Sequence, residues 1–188
     1  MIFNETPLDG AYWVDLNRLE DERGFFARSW CLREFSAQGL DTRLAQCNIS
    51  YNRQTGTMRG MHFQAQPYGE SKLVRCTSGS IFDVIIDVRP GSATYLGWYG
   101  IELSRKNHRM LFIPMGFAHG FLTLEDETEV FYQMSEFFVP EAARGFRWND
   151  PLFAIAWPAE VAVISEKDAS YPDCREELFG SFVTGRQS

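Results

Sequence analysis

SIFDVIIDVRPGS, residues 80 to 92, is the stretch on which the reading of the fold turns. Ile81, Val84 and Ile86 stand among Asp83 and Asp87, so apolar side chains occur at both odd and even positions. Successive side chains of a strand point to opposite faces, and such a run suits a strand that meets protein on both. RPGS (89–92) closes it with a tight turn. The same pattern of short β-prone runs separated by turn residues extends from residue 11 to 135, in AYWVDL, KLVRC, WYGIEL, RMLFIP and EVFYQM. Helix signals are few. CLREFSAQG (31–39) offers Leu32, Phe35 and a terminal Gly39, which predicts one short helix with a glycine stop. The segment from EKDASYPDC to ELF adds one or two more. Many short strands with a few peripheral helices predict an all-β fold, a sandwich or a barrel. No repeat of about 20–50 residues and no low-complexity linker divides the chain. Residues 1–188 are read as one domain.

The 188 residues are 45% hydrophobic and 23% charged, an ordinary globular balance. Sixteen Phe, seven Tyr and five Trp suit strand packing or an aromatic-lined pocket. The net charge of -7 argues against bulk binding of nucleic acid or an anionic membrane. A small anion needs only a local arginine cluster and stays open. Cys31, Cys47, Cys76 and Cys174 are scattered, with no CxxC pair and no signal peptide, which predicts reduced thiols in a cytoplasmic protein. The longest apolar stretch, MLFIPMGFAHGFLTL, is broken by Pro114, two glycines and His119 and is too short to span a bilayer.

Four segments carry the candidate chemistry. DERGFF (21–26) reads either as a charged turn before two core phenylalanines or as Arg23, beside a glycine, reaching a phosphate. In QCNIS (46–50) the polar Gln46, Asn48 and Ser50 share one face of a strand, directed into a cavity or into water. In TMRGMHFQ (57–64) strict alternation puts Arg59 and His62 on opposite faces unless a bulge intervenes at Gly60. PMGFAHGF places His119 in a similar setting.

These last two segments loosely resemble the paired histidine motifs of cupins. The second motif is matched at Pro114, Gly116 and His119; the first has Gln64 where a second histidine would stand and Glu70 displaced. A metal set would be limited to His62, His119 and either Glu70 or Gln64, a combination that leaves a metal-dependent oxygenase as an alternative.

Read together, DERGFF, QCNIS, GTMRGMHFQ, KLVRCTSGSIFDVIIDVRPGSATYLGW, LSRKNHRMLFIPMGFAHGFLTL, EVFYQMSEF, RGFRWNDPLFAIAWP and SEKDAS resemble the dTDP-4-dehydrorhamnose 3,5-epimerases, metal-free members of the cupin fold. The resemblance covers residues 5 to 170 in order and leaves 171–188 as a tail. It implies a jelly-roll β-sandwich that works as a homodimer with strand exchange. It also implies a nucleotide-activated 4-keto-6-deoxyhexose as substrate, in deoxysugar and polysaccharide biosynthesis, with no metal or other cofactor. His62 resembles the family's base and Asp168 the carboxylate that orients it. Lys72 is similar to the lysine beside the C4 oxygen, and Tyr132 to the tyrosine that returns the proton from the other face. Arg23 and Arg59 match arginines that grip the diphosphate, Gln46, Asn48, His119 and Lys167 match polar positions around sugar and nucleotide, and Phe138 matches an aromatic that stacks on the base.

The chain departs from the family pattern twice. Arg28 stands where the family commonly has glutamate, and Ala143 and Arg144 precede Gly145 where a glutamate is usual. Arginine only donates hydrogen bonds, which fits cytosine or guanine better than the N3–H of thymine and makes a CDP- or GDP-linked sugar the alternative substrate. An idle sugar-nucleotide binding module is the remaining alternative.

Overall fold

The computed structural model describes residues 1–175 and 177. Its strands are β1 (Ile2–Glu5), β2 (Tyr12–Asp15), β3 (Leu19–Asp21), β4 (Gly24–Phe26), β5 (Gln46–Asn52), β6 (Thr57–Gln64), β7 (Lys72–Ser78) and β8 (Ser80–Asp87). They continue with β9 (Trp98–Ser104), β10 (Met110–Ile113), β11 (Phe117–Thr123), β12 (Thr128–Met134), β13 (Ala143–Gly145) and β14 (Val163–Ile164). The helices are α1 (Leu32–Ala37) and α2 (Glu166–Ala169). The expected helix toward ELF lies beyond α2, largely outside the described residues.

Two sheets form a sandwich. One has the order β1-β2-β10-β7-β12-β5; the other runs β13-β6-β11-β8-β9, with β14 alongside β6. The pairings are antiparallel except β14 with β6. Each run read as a strand in the sequence is one, and of the two expected architectures, sandwich or barrel, the chain forms the sandwich.

The core explains why β8 is apolar at both parities. Ile81 and Ile85 pack between the sheets with Val74, Leu111 and Val130. Val84 and Ile86 face outward, where Phe146 and Phe153 of the following chain cover them. Each such fully buried aliphatic contributes about 1.5–3 kcal/mol relative to exposure. The back of the other sheet is covered by α1, whose Phe35 packs on Val14, Leu73, Met110 and Phe112. Helix α1 stops where Gly39 takes a φ of +70°, the left-handed conformation its lack of a Cβ permits. The RPGS turn is held by Asp87, whose carboxylate accepts from Arg89, Ser92 and Thr94.

Strand β6 breaks its alternation where the glycine stands. His62 pairs with His119 and Arg59 with Phe121, so Gly60 and Met61 together oppose Gly120 alone. That bulge restores Arg59 and His62 to one side of the strand. Gly60 has φ +126° and a Cβ there would lie 2.5 Å from the Gly120 Cα, so no larger residue fits. One reading of DERGFF is corrected. Phe25 and Phe26 are not core residues: they lie on the β3–β4 hairpin and Phe26 is 74% exposed.

Candidate functional site

Two adjoining cavities of about 480 and 250 Å³ open between the sheets, and they share Asn48, His62, Lys72 and Met134. Strand β5 supplies one wall. Its alternation puts Gln46, Asn48 and Ser50 toward the cavities while Cys47, Ile49 and Tyr51 are exposed on the other face, Ile49 also edging the smaller cavity. The polar face therefore points inward, the reading that made three neutral hydrogen-bonding groups line a pocket.

His62 projects from β6 at the junction of the two lobes. Its Nε2 is 2.7 Å from Asp168 Oδ1, so Nε2 carries the donated proton and a neutral ring would have its lone pair on Nδ1. Asp168 comes from α2, a single turn whose Ser165 hydroxyl caps the Asp168 backbone N–H. The second carboxylate oxygen accepts from the Gly60 backbone N–H at 3.2 Å, so the β6 bulge and the dyad lock each other. Burial alone would raise the Asp168 pKa; the hydrogen bond and charge of His62, the Gly60 N–H and the Lys167 charge outweigh it and hold the carboxyl below its ordinary value. It is thus an anion at neutral pH. Tyr171, unnoticed in the sequence, stands edge-on to the imidazole at 5.9 Å between ring centres.

Lys72 begins β7 and is buried, with its ammonium 3.0 Å from Glu70 Oε1. The other Glu70 oxygen accepts from the Gln64 amide at 2.8 Å, and Gln64 Oε1 accepts from the Val139 N–H at 2.7 Å. These are the two side chains weighed as a third metal ligand beside His62 and His119, and Glu70 is committed to both Gln64 and Lys72. Among the described residues no group of three or more His, Cys, Asp or Glu side chains is placed to hold a metal ion.

Tyr132, Arg59 and His119 line the smaller lobe. Burial and the nearby Asp83 charge push the Tyr132 phenol far up, while the Arg59 charge and a hydrogen bond with Ser50 pull the other way. The phenol therefore keeps its proton. Arg59 Nε donates to Asn52 Oδ1 at 2.7 Å. His119 is buried, 2.7 Å from Asp83 Oδ1 through Nε2 and edge-on to Tyr132. Asp83 and Asn52 were missed from the site. Each had a signal: a carboxylate inside an aliphatic run, and one more step of the polar face that begins at Gln46.

Gln46, Phe138 and Lys167 line the larger lobe together with Ala143, Arg144 and Tyr171. Gln46 Oε1 accepts from the Phe138 N–H at 3.0 Å, and its amide donates to Asn48 at 3.2 Å. Arg23 and Arg28 are elsewhere. Arg23 sits at the tip of the β3–β4 hairpin, 89% exposed and paired with Asp21. Arg28 donates to Glu34 at 2.7 Å, beside a different and smaller recess lined by Met1, Leu19 and Phe26.

Residues 5–176 match the family model described as dTDP-4-dehydrorhamnose 3,5-epimerase. The dTDP-4-dehydrorhamnose 3,5-epimerase of Sinorhizobium fredii (strain NBRC 101917 / NGR234) is 42% identical over 182 residues, which cover 91% of this chain and 93% of that one. The crystal structure of the Bacillus anthracis enzyme of that name, with TDP and PPi bound, superposes with a TM-score of 0.89 at 38% identity, covering 92% of this chain and 99% of the other. A Legionella pneumophila epimerase in complex with dTDP-4-keto-L-rhamnose gives 0.88 at 35% identity, over 95% and 96%.

Proposed function

This chain belongs to the dTDP-4-dehydrorhamnose 3,5-epimerase family, and from that premise we propose how its residues invert a dTDP-linked 4-keto-6-deoxyhexose. It is an epimerase of deoxysugar biosynthesis. The CDP- or GDP-linked substrate that Arg28 prompted is not favoured: the relatives are named for dTDP sugars, and Arg28 is engaged with Glu34.

The ketone at C4 acidifies the hydrogens on C3 and C5, but each remains a weak carbon acid. Removing one requires a placed base and a counter-charge for the enolate. His62 Nδ1 takes the proton while Nε2–H stays on Asp168, which stabilises the imidazolium so formed. The C–H electrons become the enolate C=C, and the carbonyl oxygen gains the negative charge that Lys72 offsets. Tyr132 then gives its phenolic proton to the opposite face of the carbon. Solvent reprotonates the tyrosine and accepts the proton from His62, so atoms and charge balance. Arg59 holds phosphate in the smaller lobe, and Gln46, Asn48, His119, Lys167 and Phe138 hold sugar and nucleotide.

One observation carries this reading: an aspartate-bound histidine and a buried lysine meet at the junction of two lobes, one of which holds a protonated tyrosine. The test is proton NMR in D₂O with a dTDP-, a CDP- and a GDP-4-keto-6-deoxyhexose. Deuterium at C3, C5 or both of the dTDP sugar, with inversion, is expected. Absence of exchange on all three would leave a binding module, and faster exchange on the CDP or GDP sugar would restore the role first given to Arg28.

We further propose that the enzyme works as a homodimer whose hairpins are exchanged. The β3–β4 hairpin is exposed along its length, and the edge strand β5 presents Ile49 and Tyr51 outward. Arg23 of a second copy would then supply the diphosphate contact that it does not make within its own chain. All four cysteines are free, as suits a cytoplasmic enzyme.

A further inference from the structure

Three side chains of the site are joined by contacts that the mechanism above does not use. Lys72 and Glu70 form an ion pair at 3.0 Å in which both side chains are under a tenth exposed. Glu70 is held in turn by Gln64, whose amide donates to Glu70 Oε2 at 2.8 Å, to Tyr68 O at 3.0 Å and to Phe137 O at 3.1 Å. The orientation of that amide is fixed, because its oxygen accepts from the Val139 N–H at 2.7 Å. All three side chains line the larger lobe, and Lys72 lines the smaller one as well.

We infer that Glu70, itself clamped by Gln64, is a positioning residue for Lys72. It fixes the ammonium at the junction of the lobes, beside His62. The inference rests on the assignment of Lys72 as the counter-charge of the enolate.

A lysine ammonium is a compact charge on a flexible four-carbon stem, and burying it alone is costly. A carboxylate at hydrogen-bond distance keeps the charge in place before substrate arrives, so none of the ordering is left to the reaction step. The ammonium has three donors; Glu70 takes one and leaves two for ligand oxygens. Glu70 would be a poor anchor if it could swing, and Gln64 removes that freedom from the strand that also carries His62. Base and counter-charge are thereby set from one strand, β6, through a single relay.

The test is a double-mutant cycle read as kcat and KM for deuterium wash-in on the dTDP-4-keto-6-deoxyhexose. Lys72→Ala is expected to lower kcat by about 100-fold or more. Glu70→Ala should lower kcat by about 10- to 100-fold with KM changed less than about threefold, because nucleotide contacts are untouched. Glu70→Ala in the Lys72→Ala background should cost no more than about a further twofold. Glu70→Gln keeps an acceptor for the ammonium but sets its own amide N–H against the Gln64 amide, so it should recover part of the kcat lost in Glu70→Ala. A role in folding alone would lower the melting temperature and act equally in both backgrounds. If Glu70→Ala does not fold, Glu70→Asp repeats the cycle with the charge withdrawn by one methylene. Losses that multiply in the double variant would show that Glu70 acts independently of Lys72 and would overturn the inference, as would an unchanged kcat in the single Glu70 variants. A wild-type kcat in Lys72→Ala would instead overturn the assignment of the lysine.

Discussion

Tyr132 shows how much of the chemistry rests on the surroundings of one side chain. Its phenol touches Ser50, lies edge-on to His119 and feels the opposing charges of Asp83 and Arg59. Burial is the largest of these effects, and it pushes the phenol's pKa up, which favours the protonated form. In the proposed mechanism this protonated phenol is the donor and His62 the base, which divides the labour between them. Tyr132→Phe should therefore leave exchange intact, since His62 can take a proton and return it to the same face. Net inversion should fall by about 100-fold or more. Comparing deuterium wash-in with product stereochemistry by NMR checks this; inversion at the wild-type rate would remove Tyr132 from the mechanism. Little of this environment is legible in the residues themselves. The polar face of QCNIS is visible as alternation, and Asp83 as a carboxylate among aliphatics. The pairing of His62 with Asp168 spans more than half of the chain, and no spacing rule connects the two. It came from family resemblance, not from periodicity.

At the scale of the element, β6 is where a pattern rule had to fail for the site to exist. Alternation separates Arg59 from His62, and the bulge at Gly60 reunites them. The glycine was the visible sign of that break, because an interior glycine in a strand marks a bulge or a close backbone approach. Here it marks both. Gly60→Ala would force a Cβ to 2.5 Å from the Gly120 Cα at a φ of +126°. Overpacking and backbone strain each cost about 1–3 kcal/mol, so the variant should melt well below the wild type. The same N–H binds Asp168, and the residual folded fraction should also have a lower kcat. An unchanged melting temperature and kcat would mean that the bulge is not required. The β3–β4 hairpin was the opposite case. Two adjacent phenylalanines after a turn looked like core, but what covers a hairpin is decided by its partner, which the local pattern does not encode.

For the whole molecule, the sandwich was the most legible feature, since the runs from AYWVDL to EVFYQM each became a strand. The assembly of the site was less so. It draws on β5, β7 and β12 from one sheet, β6, β11 and β13 from the other, and α2 from the far end of the chain. The hairpin carrying Arg23 is not part of it within one chain. If a second copy supplies that arginine, Arg23→Ala should raise KM by about 10- to 100-fold through loss of a charge-assisted contact. Mixing Arg23→Ala with His62→Ala subunits should then regenerate one complete site per mixed dimer and restore activity at low substrate. No recovery after subunit exchange would place Arg23 in its own chain's site or outside any site. The central claim is that this architecture delivers His62 as the base to a carbon beside the ketone. It is tested most directly by following deuterium wash-in at C3 and C5 with His62→Ala, alongside dTDP-sugar binding by calorimetry. Binding within about threefold of wild type, with exchange reduced by about 100-fold or more, is the predicted result. Full exchange in the variant would contradict it.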